Sequence, residues 1–342
     1  MTGAGVVASV VIPTLNEERY ISSCIESLLR QDYPAERLEI FLVDGGSIDN
    51  TCEMIRQFCS SYPYLKLLNN PGKTAPHALN IGIRASSGCY VIRLDAHSTY
   101  PANYISNCVK CLEETGADNV GGFFLNHSEG LWGNAIALML ASRFGVGNAA
   151  FRVGAGDGYV DTVPFGAFRR DVFDKYGYYD VRLNRGEDNE MNYRIRKNGG
   201  KIYLSNDITI NYYCRDSIGS LTKMGFQNGK WNIITTFLCP GSMGTRHFVP
   251  LLFVVSLFVL GLASLLFPHA WWKYLLLAET ACYALLDLGY AFCLAMKNGA
   301  KYFLPLLILY PVFHIFYGLG SLRGFFSRII WKRAESDTRR QT

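Results

Sequence analysis

The chain has 342 residues, 49% hydrophobic and 18% charged, with a formal net charge of +5. That length allows one large domain or two smaller ones, and the composition is too apolar for an ordinary wholly soluble protein. The charge indicates little about partners, because Arg323, Arg328, Lys332, Arg333, Arg339 and Arg340 of the C-terminal tail outweigh the whole excess.

The ten cysteines are scattered without a disulfide-like framework, which fits reduced thiols on a cytosolic face. Cys108 and Cys111 form a C-x-x-C, but with no second pair and inside an expected helix they read as half-buried thiols rather than ligands. The early apolar run VVASVVIP is short, lacks a basic leader and reads as a first buried strand, not a signal peptide.

In chain order, residues 8–13 are a β-branched run, after which the period becomes helical, with Ile21, Cys24, Ile25, Leu28 and Leu29 on one face and Asn16 placed to cap. EIFLVDGG (39–46) is a second buried strand, and Asp49 is placed to cap the next helix. LKLLNN, the helix APHALNIGIRAS and the strand CYVIRLD (89–95) follow. This alternation predicts an α/β fold with a parallel sheet covered on both faces. Ligands of such sheets bind beyond the carboxyl ends of the strands. Asn16, Glu17, Asp44 and Asp95 all fall at those ends.

From residue 217 the texture changes. SIGSLTKMGFQNGKWNIITTFLCPG mixes apolar, basic and aromatic residues, as a segment in a membrane interface does. Apolar stretches at 248–267, 271–296 and 302–322 are each long enough to span a hydrocarbon core. Glu279 and Asp287 interrupt the second and read as packing or interfacial residues; Pro305 and Pro311 interrupt the third. With a cytosolic N-terminal domain, three spans put the basic tail outside, against the positive-inside tendency. Either that tendency is overridden or one stretch is re-entrant or interfacial, the third being the best suspect.

The motifs VIPTLNEE, LVDGGSIDNT, GKTAPHALNIGI, IRLDAHS, GEDNEMNYRIRKNG and QNGKW occur in this order. Together they resemble the family-two inverting glycosyltransferases, enzymes that use nucleotide-sugar donors, over roughly residues 8–235. Within that family the chain is most similar to the succinoglycan-type exopolysaccharide glucosyltransferases. The resemblance implies a GT-A fold (Rossmann-like, mostly parallel sheet flanked by helices) followed by a C-terminal α-helical membrane region. The expected divisions are a catalytic domain at 1–216, an interfacial segment at 217–247, a membrane region of two to three segments at 248–322 and a tail at 323–342.

The resemblance also assigns roles. Pro13 and Glu17 match the first-strand turn, where the acid meets the ribose, and Asp44 matches the reader of the uracil edge, with Gly45 and Gly46 letting backbone approach the base. Lys73 is a loop cation for pyrophosphate or base. Asp95 matches the family's first metal-binding aspartate, and His97 stands where a second is usual. Imidazole ligates Mn²⁺ well and suits Mg²⁺ less, so Mn²⁺ is expected to be favoured with Mg²⁺ usable. Asp188 of the Glu187-Asp188 pair matches the base that deprotonates the acceptor, and Glu187 is assigned to the acceptor side, although capping by the helix dipole also explains it. Arg169 and Arg170 match a basic pair with no catalytic part. Gln227, Lys230 and Trp231 form Q-x-x-K-W, a relative of the Q-x-x-R-W box that meets acceptor sugar and donor diphosphate in processive synthases. An interfacial aromatic and basic belt explains the same residues.

The expected function is transfer of a sugar, glucose from a UDP donor, to a polyprenyl-diphosphate-linked glycan at the bacterial inner membrane, with the catalytic domain cytosolic. A processive polysaccharide synthase and a polyprenyl-phosphate sugar synthase are the alternatives. The expected partners are UDP-sugar, lipid-linked acceptor and membrane lipids, with no nucleic acid; homo-oligomerisation is left open.

Overall fold

The computed structural model describes residues 6–154 and 156–341, with side chains as far as 327. The first half builds the parallel part of a sheet. Strands β1 (Ala8–Thr14), β2 (Leu38–Asp44), β3 (Leu65–Asn69) and β4 (Tyr90–Arg93) lie in the order β3-β2-β1-β4, all parallel. Every residue of β2 is buried, as a strand covered on both faces requires. The register sets Thr14 opposite Asp44 and Asp44 opposite Asn69, and Val11 opposite Arg93. The carboxyl ends of β1 and β2, and the chain leaving β4, therefore share one edge.

Helices α1 (Ile21–Leu29), α2 (Thr51–Ser61), α3 (Ala75–Ala85) and α4 (Tyr104–Thr115) accompany these strands. The apolar face expected for α1 is buried through Ile21, Cys24, Ile25 and Leu28. Asn16 does not cap it. The helix starts after Tyr20, and Asn16 instead takes φ 55 with its Oδ1 accepting from the Ile48 N–H at 2.9 Å. Asp49 stands one residue before the N-cap Asn50 of α2, and its Oδ1 accepts from the Thr51 N–H at 3.1 Å. Cys108 and Cys111 are both buried on α4, and burial pushes both thiols up, Cys111 to about 11.

The second half of the sheet is antiparallel, so the sheet is mixed. Strands β5 (Ser98–Thr99), β6 (Asn119–His127), β7 (Gly158–Tyr159), β8 (Ala167–Arg169) and β9 (Ile202–Tyr213) continue it as β4-β8-β6-β9-β5, with β7 on β9. A parallel neighbour for β4 would need a crossover; β8 instead arrives from the opposite direction, bringing Phe165 and Gly166 to the edge where β4 ends. Helices α8 (Asp171–Tyr176) and α9 (Glu187–Lys197) complete this unit.

The chain divides into two compact units, one of residues 1–125 and 154–213 and one of 126–153 and 214–342. The second holds α5 (Gly130–Leu140), α6 (Arg143–Val146), α7 (Ala150–Val153), α10 (Ile218–Leu238), α11 (Val249–Leu266), α12 (Trp271–Asn298) and α13 (Phe303–Gln341). Three of its helices are long and apolar enough to cross a membrane, at 249–266, 271–298 and 300–327. Glu279 accepts a hydrogen bond from Ser256 across the α11–α12 hairpin, and Asp287 is buried on α12.

Packing leaves no room for a side chain where Gly122 of β6 meets β9: a Cβ there would lie 1.8 Å from the Ile208 carbonyl oxygen. Gly122→Ala is expected to lower stability by about 2 kcal/mol or more, read as a fall in thermal midpoint of the detergent-solubilised protein. Gly219→Ala, whose Cβ meets nothing within 4 Å, should leave the midpoint unchanged or slightly raised.

Candidate active site

Three loops meet beyond the carboxyl ends of the parallel strands. The loop after β1 is tied to the loop after β2, because the Asn16 N–H donates to Ser47 Oγ at 2.8 Å and the Glu17 N–H to Thr51 Oγ1 at 2.8 Å. Asp44 organises the second loop: its Oδ2 accepts from the Gly46 and Ser47 N–H groups at 2.8 and 2.9 Å, and its Oδ1 from Ser47 Oγ at 2.5 Å. Burial alone would raise its pKa, but these donors hold it below the usual carboxylate value. Asp44 is 5% exposed, so contact with a base must come at the small face left open or through the backbone of Gly45 and Gly46. Lys73 (φ 60) sits beside that loop, its Cα and carbonyl 3.4 Å from where a Cβ on Gly45 would stand.

Beyond β4 the chain turns through Asp95, Ala96 and His97. The turn is fixed by Tyr100, whose hydroxyl accepts from the Asp95 N–H at 2.8 Å and donates to the Asp95 carbonyl at 2.9 Å. His97 Nδ1 then lies 3.1 Å from Asp95 Oδ1 and 3.5 Å from Glu17 Oε1. Tyr212 and Tyr20 flank its ring, at centroid distances of 5.7 and 6.5 Å. Burial disfavours the charged imidazole, yet the Asp95 and Glu17 carboxylates hold its pKa well above the ordinary histidine value. Burial likewise opposes ionisation of Asp95, but His97 and Arg93 hold that carboxyl down at about 2. A proton on His97 offsets one of the two carboxylate charges that face it.

This donor set fits a divalent cation. Glu17, Asp95 and His97 each offer one ligand atom, all within 4.8 Å of one another, and among the described residues no other such group of three occurs. Two carboxylate oxygens and one imidazole nitrogen suit Mn²⁺ better than the all-oxygen preference of Mg²⁺. Glu17, expected at the ribose, is thus brought to the metal-type cluster.

A buried arginine links this cluster to the acid pair. Arg93 ends β4, two residues before Asp95, and is 6% exposed. Its Nη2 donates to Glu187 Oε1 at 3.2 Å, its Nη1 pairs with Asp188 Oδ2 at 3.0 Å, and the guanidinium lies 4.6 Å from the Phe165 ring centroid. Phe165 takes φ 46, and its backbone N–H donates to Asp188. Asp188 stands in the first turn of α9, where the helix dipole favours an anion. Burial nevertheless raises its pKa above the carboxylate range; Arg93 opposes that rise, and the charges of Glu187 and Asp95 add to it. A carboxylate poised towards neutrality and held by a fixed cation is suited to take a proton.

The structure therefore gathers Glu17, Asp44, Lys73, Asp95, His97, Glu187 and Asp188 in the first unit, with Pro13 at the end of β1. Gln227, Lys230 and Trp231 lie on α10 of the second unit, with Lys230 Nζ 5.8 Å from a Trp231 ring centroid. Sequence reasoning missed Arg93, Phe165, Tyr20 and Tyr212. Arg93 had a signal, being a charged residue within the apolar run CYVIRLD; the others became visible only through the turns and pairings that bring them in.

A family model described as "Glycosyl transferase family 2" matches residues 9–177. Succinoglycan biosynthesis protein ExoA of Rhizobium meliloti is 30% identical over 244 residues, covering 71% of this chain and 74% of ExoA. The chain belongs to glycosyl transferase family 2. A second relative is the dolichyl N-acetyl-alpha-D-glucosaminyl phosphate 3-beta-D-2,3-diacetamido-2,3-dideoxy-beta-D-glucuronosyltransferase of Methanococcus voltae. It is 29% identical over 229 residues, covering 65% of this chain and 71% of that one. Among solved structures, the mannosyltransferase PcManGT of Pyrobaculum calidifontis, in complex with GDP-Man and Mn2+, aligns with TM-score 0.59 and 18% identity. The alignment covers 94% of this chain and 87% of that one. That likeness shows the fold: the mixed sheet flanked by helices is GT-A-like, and this family-two glycosyltransferase is an enzyme of the class its motifs indicated.

Asp188→Asn is expected to lower kcat by roughly 10²–10⁴-fold, the range for loss of a positioned base. In the unsubstituted enzyme kcat/KM should rise with pH through the neutral range as Asp188 loses its proton. Arg93→Met removes the cation that favours the ionised form, so this limb should move to higher pH. A profile that stays in place on that substitution contradicts the assignment.

Proposed function

We propose that the chain is an inverting hexosyltransferase that moves one sugar, glucose from UDP-glucose, to a polyprenyl-diphosphate-linked glycan at the inner membrane, its catalytic unit facing the cytosol. The observation that carries this reading is the placing of the Glu17–Asp95–His97 cluster and the Asp188 base within one unit, joined through Arg93. The name of ExoA supports exopolysaccharide assembly, the dolichyl-linked substrate in the name of the second relative supports a lipid-linked acceptor, and the apolar helices support a membrane location, where such acceptors reside.

In this reading Asp188 accepts the proton of the acceptor hydroxyl as its oxygen attacks the anomeric carbon. The bond from that carbon to the diphosphate oxygen breaks on the opposite face, and its electron pair leaves with the nucleoside diphosphate. A single displacement inverts the centre, so no second carboxylate is needed as nucleophile. Glu17, Asp95 and His97 would hold the divalent cation, which would supply Lewis-acid neutralisation of the diphosphate charge. Lys73 adds a positive charge beside the nucleotide loop, and Asp44 keeps Gly45 and Gly46 in shape for the base. Arg93 keeps Asp188 oriented and limits the rise in its pKa. Gln227, Lys230 and Trp231 serve the acceptor and diphosphate; lysine keeps the charge of the usual arginine without its bidentate fork.

A panel of UDP-sugars offered with extracted lipid-linked intermediates, with products weighed by mass spectrometry, tests the reading. One added hexose from UDP-glucose is expected. A ladder of hexoses indicates the processive alternative, and no product with any lipid acceptor overturns the proposal.

The metal assignment has its own test. EDTA should abolish transfer and Mn²⁺ restore it better than Mg²⁺, whereas His97→Asp should keep activity and shift preference towards Mg²⁺. Because a ligating imidazole must be neutral, Mn²⁺ binding should weaken as pH falls. Transfer that survives EDTA contradicts the metal site.

A further inference from the structure

The three apolar helices of the second unit are not equivalent. Half of the 300–327 window is buried in protein, against 6% of 249–266 and 11% of 271–298. In α11 only Ala263 is buried, and in α12 burial begins at Asp287 and recurs at Ala291 and Ala295. Residues 271–286 include no buried position. The far part of the hairpin is therefore bare of protein, as a pair of helices in lipid would be. Trp271, Trp272 and Lys273 close it at one end and Arg246 and His247 at the other, where interfacial anchors belong.

Among the described residues, the hydrogen bonds and ring contacts of α13 with this hairpin lie at its foot. Phe253 stacks on Tyr283 at 4.5 Å, which sets those two residues at one level near the start of α11. His314 Nδ1 shares a hydrogen bond with Tyr283 Oη at 2.9 Å. A Cβ on Gly318 would stand 2.4 Å from the Pro250 carbonyl oxygen, and Tyr317 Oη lies 3.1 Å from His247 Nδ1. Among the described residues, none of these hydrogen bonds or ring contacts reaches the level where Ser256 meets Glu279.

The other partners of α13 are not membrane-spanning elements. On one side it packs backbone to backbone on α10: a Cβ on Gly229 would meet the Tyr317 carbonyl oxygen at 1.9 Å, and one on Gly320 that of Phe226 at 2.0 Å. Asn232 of α10 hydrogen-bonds both Tyr317 and His247, which pins α10 and α13 to the foot of α11. On the other side lie α5 and α6, too short to cross a bilayer, with Ser142 Oγ 2.8 Å from Tyr310 Oη and the Phe144 carbonyl 2.9 Å from His314 Nε2. A transmembrane α13 would drag Gln227, Lys230, Asn232 and Arg143 into hydrocarbon with it, at a cost that such residues rarely meet.

We infer that the chain crosses the bilayer twice, through α11 and α12, and that α13 lies in the membrane interface on the side from which α11 starts. Its exposed residues Leu304, Ile308, Ile315, Phe316 and Leu319 recur at three- to four-residue and seven-residue spacing and form the stripe that meets lipid. The basic tail then stays on the side of Arg246 and His247, and the conflict with the positive-inside tendency disappears. The inference stands on helix packing and does not depend on which sugar or acceptor the enzyme uses.

Epitope tags placed before Met1, after His269 or after Thr342, one per full-length chain in membrane vesicles, test it by protease accessibility. The first and third tags should be cut in the same vesicle orientation and the second in the opposite one. Should the third be cut together with the second, α13 spans and the inference fails; should all three be cut together, the hairpin does not cross and it fails too. Should the first and third be cut only in right-side-out vesicles, the inference stands and the cytosolic placement of the catalytic unit fails. Independently, Ile315→Lys should leave membrane-integrated protein within about twofold, while Phe258→Lys should lower it at least about tenfold, the sense expected for an interfacial against a mid-bilayer charge. Equal losses would overturn the inference.

Discussion

A guanidinium taken out of water into the middle of a sheet is costly unless carboxylates meet it, and Arg93 meets two. Its backbone is locked between β1 and β8, with the Arg93 N–H donating to the Gly166 carbonyl at 3.0 Å and the Leu94 N–H to that of Val11 at 3.0 Å. The charge therefore has no freedom to follow its partners; Glu187 and Asp188 must come to it. The first turn of α9 is set by this pair of contacts, and the chain two residues beyond Arg93 carries Asp95. The Glu17–Asp95–His97 cluster and the proposed base Asp188 are thus held by opposite ends of one short rigid segment.

The cluster itself is a balance of like charges. Glu17 and Asp95 would repel across the gap between them, and either a proton on His97 or a divalent cation relieves that repulsion. The loops that carry these groups are not rigid of themselves. They are stitched by short polar side chains, Ser47 and Thr51 to the first loop and Tyr100 to the third, so their precision comes from hydrogen bonds rather than apolar packing. This is the usual division of labour in an α/β protein, with a packed sheet below and functional loops at its carboxyl edge.

Much of this was legible in the chain. The strands β1 to β4 are apolar runs separated by helical periods, and their ends carry the acids, so the crevice followed from alternation alone. The antiparallel half was not legible, because β5, β7 and β8 are only two or three residues long and the period of the longer β6 and β9 does not give the direction in which they pair. The nearness of Glu17 to Asp95 and His97 is not legible in its motif, because the motif says nothing about where a turn of the backbone aims a side chain. Arg93 hid inside a strand pattern as a single polar residue, since its partners are 94 and 95 positions away. The residues of the 126–153 excursion read as part of the catalytic sequence, and only their contacts with α10 to α13 group them with the membrane region.

The account stands on Arg93 acting through Asp188 rather than beside it, and a double-mutant cycle on the transfer rate addresses that directly. If Arg93 serves to orient and charge the base, Arg93→Met should be severe in the presence of Asp188 and nearly silent once Asp188→Asn has removed it. Losses that multiply, with the double variant slower than Asp188→Asn by the full factor seen for Arg93→Met alone, would show two independent roles and contradict the account.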